Sequence, residues 1–278
     1  MIPAEFDYTR PSTLTDAIHA IAVPEGATVL AGGQSLIPDL KARRKRARMI
    51  VDLGGVAELA SLTEEPGSVR VGAMVRQTDL VAQVGTRIPL LAEVAHAAAD
   101  PMVRRRGTLV GACCEAAPGG DWVAAALALD GEIVAEGPAG RRDIPLTSFV
   151  TGPGTNALTP DEIATSIRLR VPSPGTVSAY RKVKHVAVGW SVGSVALVLG
   201  EREDDFRVAV SGATRHPQRL TALEAELRTI DRDNPAELME VVDDSLADLE
   251  YQGDYYASAP FRRQRLAVLI KRTLAELS

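Results

Sequence analysis

The stretch Ala27-Thr-Val-Leu-Ala-Gly-Gly-Gln-Ser-Leu-Ile-Pro-Asp-Leu-Lys41 decides how this chain is read. A short run with β-branched residues stops at two glycines and passes at once into helical spacing, which spells strand, tight turn and helix. Gly32 and Gly33 can adopt positive φ and leave their amides uncovered. Gln34 and Ser35 add side-chain donors, and Pro38 suits a first helical turn. Unpaired amides converging in such a turn receive a phosphate or pyrophosphate. The competing reading is a plain strand-to-helix connection. The stretch is not a P-loop: it lacks G-x-x-x-x-G-K-[ST], and Lys41 lies too far from the glycines.

Working outward, residues 11–22 read as a helix with Ser12 or Thr13 near its start. With strands at 28–30 and 49–53 and a short helix to about residue 43, this makes a small α/β unit ending near Gly55. A second unit opens on Val69-Arg-Val-Gly72. It continues with helices at 77–84, 89–99 and 123–129 and strands at 132–135 and 143–145. Residues 163–171 alternate as an exposed strand would. Pro172-Ser-Pro-Gly-Thr176 reads as a linker. Beyond it, 191–199 and 206–211 are valine-rich and read as antiparallel neighbours, followed by helices at 220–230, 235–246 and 260–277. Strands followed by helices indicate an α+β layer.

The chain has 278 residues, enough for two modest domains, with 46% hydrophobic and 24% charged residues. A formal net charge of −5 opposes general nucleic-acid binding. No run of about 18 apolar residues is present to insert in a membrane, and the N-terminus lacks a basic-then-apolar signal. Together with only two cysteines, Cys113 and Cys114, this leads to the expectation of a cytoplasmic protein. Histidines 19, 96, 185 and 216 have no metal-ligand spacing, so no metal site is expected, and no nucleophile–histidine–acid set is evident. Any catalysis would borrow its reactive group from a cofactor.

Three blocks resemble the flavin-binding (medium) subunit of the molybdenum hydroxylases, the carbon monoxide dehydrogenase and xanthine dehydrogenase group. They are Ala31-Gly-Gly-Gln-Ser-Leu-Ile-Pro-Asp-Leu-Lys41 with Met49-Ile-Val-Asp-Leu53, then Arg106-Gly-Thr-Leu-Val-Gly-Ala112 with Pro118 and Asp121, and then Asp254-Tyr-Tyr-Ala-Ser-Ala-Pro-Phe-Arg-Arg263. Val69-Arg-Val-Gly-Ala73 and Tyr180-Arg-Lys-Val-Lys184 fall in the matching order between them.

The resemblance implies an α+β fold. A two-subdomain FAD-binding domain of the PCMH type would occupy 1–172, divided at about residue 55. A C-terminal α+β domain with an antiparallel sheet and helices would occupy 177–278. It implies FAD as cofactor, with Ala31, Gly32, Gly33, Gln34, Ser35, Leu36, Thr108, Gly111, Ala112, Asp121 and Lys182 as binding residues. It also implies a molybdopterin-binding large subunit and a [2Fe–2S] small subunit as partners. Electrons would pass from the clusters through FAD to a terminal acceptor such as a quinone, NAD or oxygen.

The chain departs from the family pattern in three places. Val110 stands where the first glycine of Thr-x-Gly-Gly is usual. Ala117 replaces the aspartate before Pro118. Gly189 replaces an acid that precedes an aromatic, here Trp190. Valine narrows the backbone's freedom where glycine permits close approach. The alternative implied is a repurposed scaffold, acting as a stand-alone flavoenzyme or without cofactor. Lys182 is set to pair with a phosphate or flavin carbonyl, or else to be a solvated strand lysine. His185 reads as a surface or packing residue, or else a proton carrier. The adjacent cysteines read as small apolar packing. The basic run Lys41-Ala-Arg-Arg-Lys-Arg-Ala-Arg48 reads as a solvated helix end, or as a docking face for an acidic partner or the cofactor phosphates.

Overall fold

The computed structural model describes residues 2–22, 25–185, 189, 191–200, 205–231 and 234–277. The first unit is β1 (Asp7–Thr9), α1 (Leu14–Ala22), β2 (Ala27–Leu30), α2 (Leu36–Lys41) and β3 (Met49–Asp52), with a parallel sheet in the order β1-β3-β2. Of the two candidates for the start of α1, Thr13 caps it, its Oγ1 accepting from the Asp16 amide at 3.1 Å. β1 escapes the sequence reading because three residues are too few to show a period. Parallel strands present ligands beyond their carboxyl ends, and β2 ends in the glycine turn.

The second unit begins with β4 (Leu62–Glu65), β5 (Ser68–Gly72), α3 (Gln77–Val84), α4 (Pro89–Ala97), α5 (Pro101–Arg104), α6 (Leu109–Glu115) and α7 (Asp121–Ala128). It continues with β6 (Glu132–Gly137), β7 (Gly140–Pro145), α8 (Leu146–Phe149), the small hairpin β8 (Val150–Gly152) and β9 (Thr155–Asn156), and β10 (Ile163–Arg170). Its antiparallel sheet runs β4-β5-β10-β6-β7. The expectation of an exposed strand at 163–171 is therefore wrong. β10 is the central strand, and its first five residues are buried. The alternating arginines misled because ion pairs hold them: Arg168 reaches Asp143 at 2.8 Å and also Glu132, while Arg170 reaches Asp205 at 3.4 Å.

The third unit is β11 (Val177–Lys184), β12 (Ser191–Leu199), β13 (Arg207–Ser211), β14 (Gln218–Arg219), α9 (Thr221–Glu226), α10 (Pro235–Ser245) and α11 (Ala259–Leu277). The strands form an antiparallel sheet in sequence order. Val195, Leu197 and Leu199 of β12 pack with Leu223, Val242 and Leu266 of this unit's helices. Ala196 and Val198 face the other way and share a core with α7. A sheet covered on both faces needs apolar residues at every position, so β12 reads as a continuous run and not an alternation. Among the described residues, no helix is long and apolar enough to cross a membrane.

Candidate functional site

The two glycine turns meet. A Cβ on Gly32 would lie 2.4 Å from the Arg106 carbonyl oxygen and 2.9 Å from the Gly107 Cα, so only glycine permits this backbone-to-backbone approach. Gly33 has φ +73°. In the first turn, Ser35 precedes α2 without a side-chain cap. The amides of Gly33, Gln34, Ser35 and Leu36 donate to no described residue. In the second turn, Thr108 caps α6, its Oγ1 accepting from the Gly111 amide at 3.0 Å.

Between the turns lies a cleft of ≈ 570 Å³. Ala31, Gly32, Gly33, Gln34, Ser35, Leu36, Thr108, Gly111, Ala112 and Asp121 all line it. The structure thus brings together ten of the residues singled out from sequence. Lys182 stands behind the wall. It is only 6% exposed, and its Nζ donates to Asp121 Oδ2 at 2.8 Å. It is not a solvated strand lysine, because a buried ammonium needs a buried counter-charge. Tyr180 donates its hydroxyl to the other Asp121 oxygen at 2.5 Å. Burial pushes the Asp121 carboxyl above its usual range, against the pull of Lys182 and Tyr180. The Tyr180 hydroxyl is raised well above its usual value, by burial and then by the Asp121 charge.

The three departures have distinct places. Val110 is 2% exposed, lining the cleft while filling the core beneath it. Its methyl groups therefore replace packing volume as well as glycine's freedom. Ala117 lines the cleft. Gly189 is exposed with φ +68°, and Trp190 lies outside the described residues. Cys113 is buried, and burial pushes its thiol well up; that of Cys114 is pushed up to about 12. Such thiols stay neutral, so the pair packs as small apolar residues and lacks the thiolate that redox chemistry needs. His185 packs edge-on against Tyr256, with centroids 5.1 Å apart.

Several lining residues were missed. Gln77 enters the cleft from α3, nearly buried, with Oε1 unpaired in the structure and Nε2 directed at the Thr108 carbonyl at 3.4 Å. Asn156, Leu158 and Glu162 arrive from the region between β9 and β10. Glu162 takes two hydrogen bonds from Arg142, which hold its carboxyl down at about 2. No local sequence signal marks these residues, because long-range pairing delivers them. The Lys41–Arg48 run is exposed except at Ala42 and Ala47. Lys45 alone of it lines the cleft, 3.5 Å from Glu115.

A cleft with a row of unpaired amides in one turn and an orphaned buried acceptor on α3 has the donor set for a dinucleotide. The anionic diphosphate suits the amides, and a donor group of the ligand suits Gln77 Oε1. The fold and cleft thus define a dinucleotide-binding α+β protein. Residues 4–174 match the family described as the FAD binding domain in molybdopterin dehydrogenase, and the chain belongs to that family. Its cofactor is FAD, and it is a flavoprotein subunit of the oxidoreductase class.

The chain is 31% identical to the carbon monoxide dehydrogenase medium chain of Hydrogenophaga pseudoflava, over 99% of this chain and 97% of that one. It is also 31% identical to the nicotine 6-hydroxylase medium subunit of Paenarthrobacter nicotinovorans, over 97% and 96%. A solved structure of the Hydrogenophaga pseudoflava carbon monoxide dehydrogenase, one lacking the Mo-pyranopterin moiety of its molybdenum cofactor, superposes with a TM-score of 0.92. That match covers 98% of this chain and 96% of the other, at 31% identity.

Proposed function

We propose that this chain is the electron-transfer subunit of a molybdenum-hydroxylase-type complex. It takes electrons from the [2Fe–2S] clusters of a small partner, which a molybdopterin-binding large partner reduces, and delivers them to a terminal acceptor. The observation that carries the reading is the row of unpaired amides from Gly33 to Leu36 on the wall of a ≈ 570 Å³ cleft. Bound FAD supplies redox chemistry that side chains lack, accepting electrons singly or in pairs. This chain's own residues bind and orient it. The amides of Gly33–Leu36 receive the diphosphate, and Gly32 lets the second turn close over the first. Thr108, Gly111 and Ala112 form the facing wall. Asp121 carries its charge into that wall already neutralised by Lys182, so the pair orients without adding net charge.

We assign the cofactor domain to 1–172 and the second domain to 177–278. The shared core of α7 with β12 supports a fixed seat between them. The two free thiols, Cys113 buried and Cys114 partly so, fit work in a reducing cytoplasm.

The test is to purify the complex through a tag on this chain and reduce it with its substrate, with and without prior removal of flavin. Depleted complex should still reduce its clusters, read by electron paramagnetic resonance, yet fail to reduce any acceptor until FAD is restored. Unimpaired acceptor reduction without flavin would refute the reading.

A further inference from the structure

The chain has only four Phe, two Trp and five Tyr. Three of these, Tyr255, Tyr256 and Phe261, stand 96%, 45% and 40% exposed within one short stretch. Exposed aromatic clusters are uncommon on a surface that meets only water. These rings are also held in place. Arg262 is buried beneath them, its Nη1 donating to the Gly212 carbonyl at 2.5 Å and the Val192 carbonyl at 3.1 Å. Its Nη2 donates to Asp254 Oδ2 at 2.7 Å. Asp254 Oδ1 in turn accepts from the amides of Tyr256 and Ala257. Tyr256 is flanked edge-on by Tyr255 and His185. Much of the backbone entropy that ordering this stretch would cost at binding is therefore lost already on folding.

The charge of the patch is one-sided. Between residues 254 and 272 the one acid is Asp254, which is paired with Arg262. Arg265, one helical turn from Phe261, is exposed, and no described carboxylate forms an ion pair with it. Its guanidinium lies 4.9 Å from the Phe261 ring centroid. Clustered aromatics beside an arginine have the composition of an interface hot spot. A second copy of the chain, docked patch to patch, would oppose arginine to arginine. A net charge of −5 over the whole chain works against nucleic acid. An acidic protein surface satisfies both constraints.

We propose that the face formed by Tyr255, Tyr256, Phe261 and Arg265 seats an acidic surface of a partner subunit. The proposal rests on the multi-subunit reading above.

The test compares hydroxyl-radical labelling of the free chain with that of the complex purified from its source organism. Labelling of Tyr255 should fall at least about tenfold on assembly, as for a fully desolvated interface centre. The double variant Tyr255→Ala, Arg265→Glu should weaken assembly by about a hundredfold or more. Its circular dichroism should match the wild type, because both side chains stand outside the core. A stable complex in which Tyr255 stays fully labelled overturns this proposal and leaves the subunit reading intact. Protection of Tyr255 by self-association of the free chain, or by added DNA, overturns it in favour of those occupants. A wild-type chain that recovers no partner overturns both readings together.

Discussion

The two glycine turns look alike in sequence and do different work. Both lead into a short helix, α2 or α6, and both line the cleft. In the first, Ser35 caps nothing and the amides from Gly33 to Leu36 stay unpaired. In the second, Thr108 takes the Gly111 amide for its own helix, and Val110 turns its side chain into the core. On the reading proposed above, the first turn is a receptor and the second chiefly a wall. A helix end that satisfies itself has less to offer a ligand. The departure at Val110 therefore falls where the chain can best absorb it.

The largest effect should come from Gly33→Val. The substitution forces a β-branched residue to φ +73° against Ile37 and Leu30, at 3.1 and 3.2 Å. Displacing even two charge-assisted bonds, at about 1.5–3 kcal/mol each, lowers FAD affinity by about a hundredfold or more. Titration of the chain with FAD, followed by flavin fluorescence, checks this, and full retention would sink the receptor assignment.

Next comes Lys182→Met, which strands the Asp121 carboxyl and removes about 3 kcal/mol of stability near neutral pH. Burial already raises the Asp121 carboxyl above its ordinary range, and it rises further without the lysine. The folded state then keeps a proton that the unfolded state releases. Stability is accordingly greatest below the unfolded value and is lost as pH rises through the folded one. Urea unfolding at about pH 5 and about pH 8 should show the larger deficit at the higher pH.

Val110→Gly sharpens the comparison from the other side. It empties core volume and puts glycine in a helix, for a loss of about 2–4 kcal/mol in thermal or urea unfolding. FAD affinity should gain no more than about threefold, a fraction of a kcal/mol. A tenfold gain would mean that the valine chiefly restrains cofactor approach. The smallest effect belongs to Thr108→Ala, about 1 kcal/mol of stability from the lost cap. If it lowered FAD affinity as much as Gly33→Val does, the distinction between the two turns would vanish.

Much of the site was legible because turn chemistry is local. The glycine pair and the proline of the first turn act on their own neighbours, while Thr108, Gly111, Ala112 and Asp121 came from the family resemblance; ten of the eleven chosen residues line one cleft. The helices read at 77–84 and 89–99, the second ending at Ala97, were readable because each carries its own period, and the valine strands because an unbroken apolar run marks a strand covered on both faces. The opposite holds for Gln77, Glu162 and the Arg142 that restrains it. Gln77 meets the cleft because the segment before α3 bridges to Thr108, and Glu162 because β10 pairs with β6 far away in sequence, with Arg142 reaching it from β7.

By itself, then, the sequence determined the strand–turn–helix with its open amides and the α+β order of elements, which rest on near-neighbour sterics and hydrogen bonding, and, through the resemblance of three motif blocks, the family. Tertiary structure alone decided that β10 is central and not exposed, and that Lys182 is spent on Asp121. It also decided that Val110 faces a core, and that three aromatic rings remain uncovered. Burial and charge pairing depend on which distant segments arrive at a surface, and no local pattern of residues carries that information.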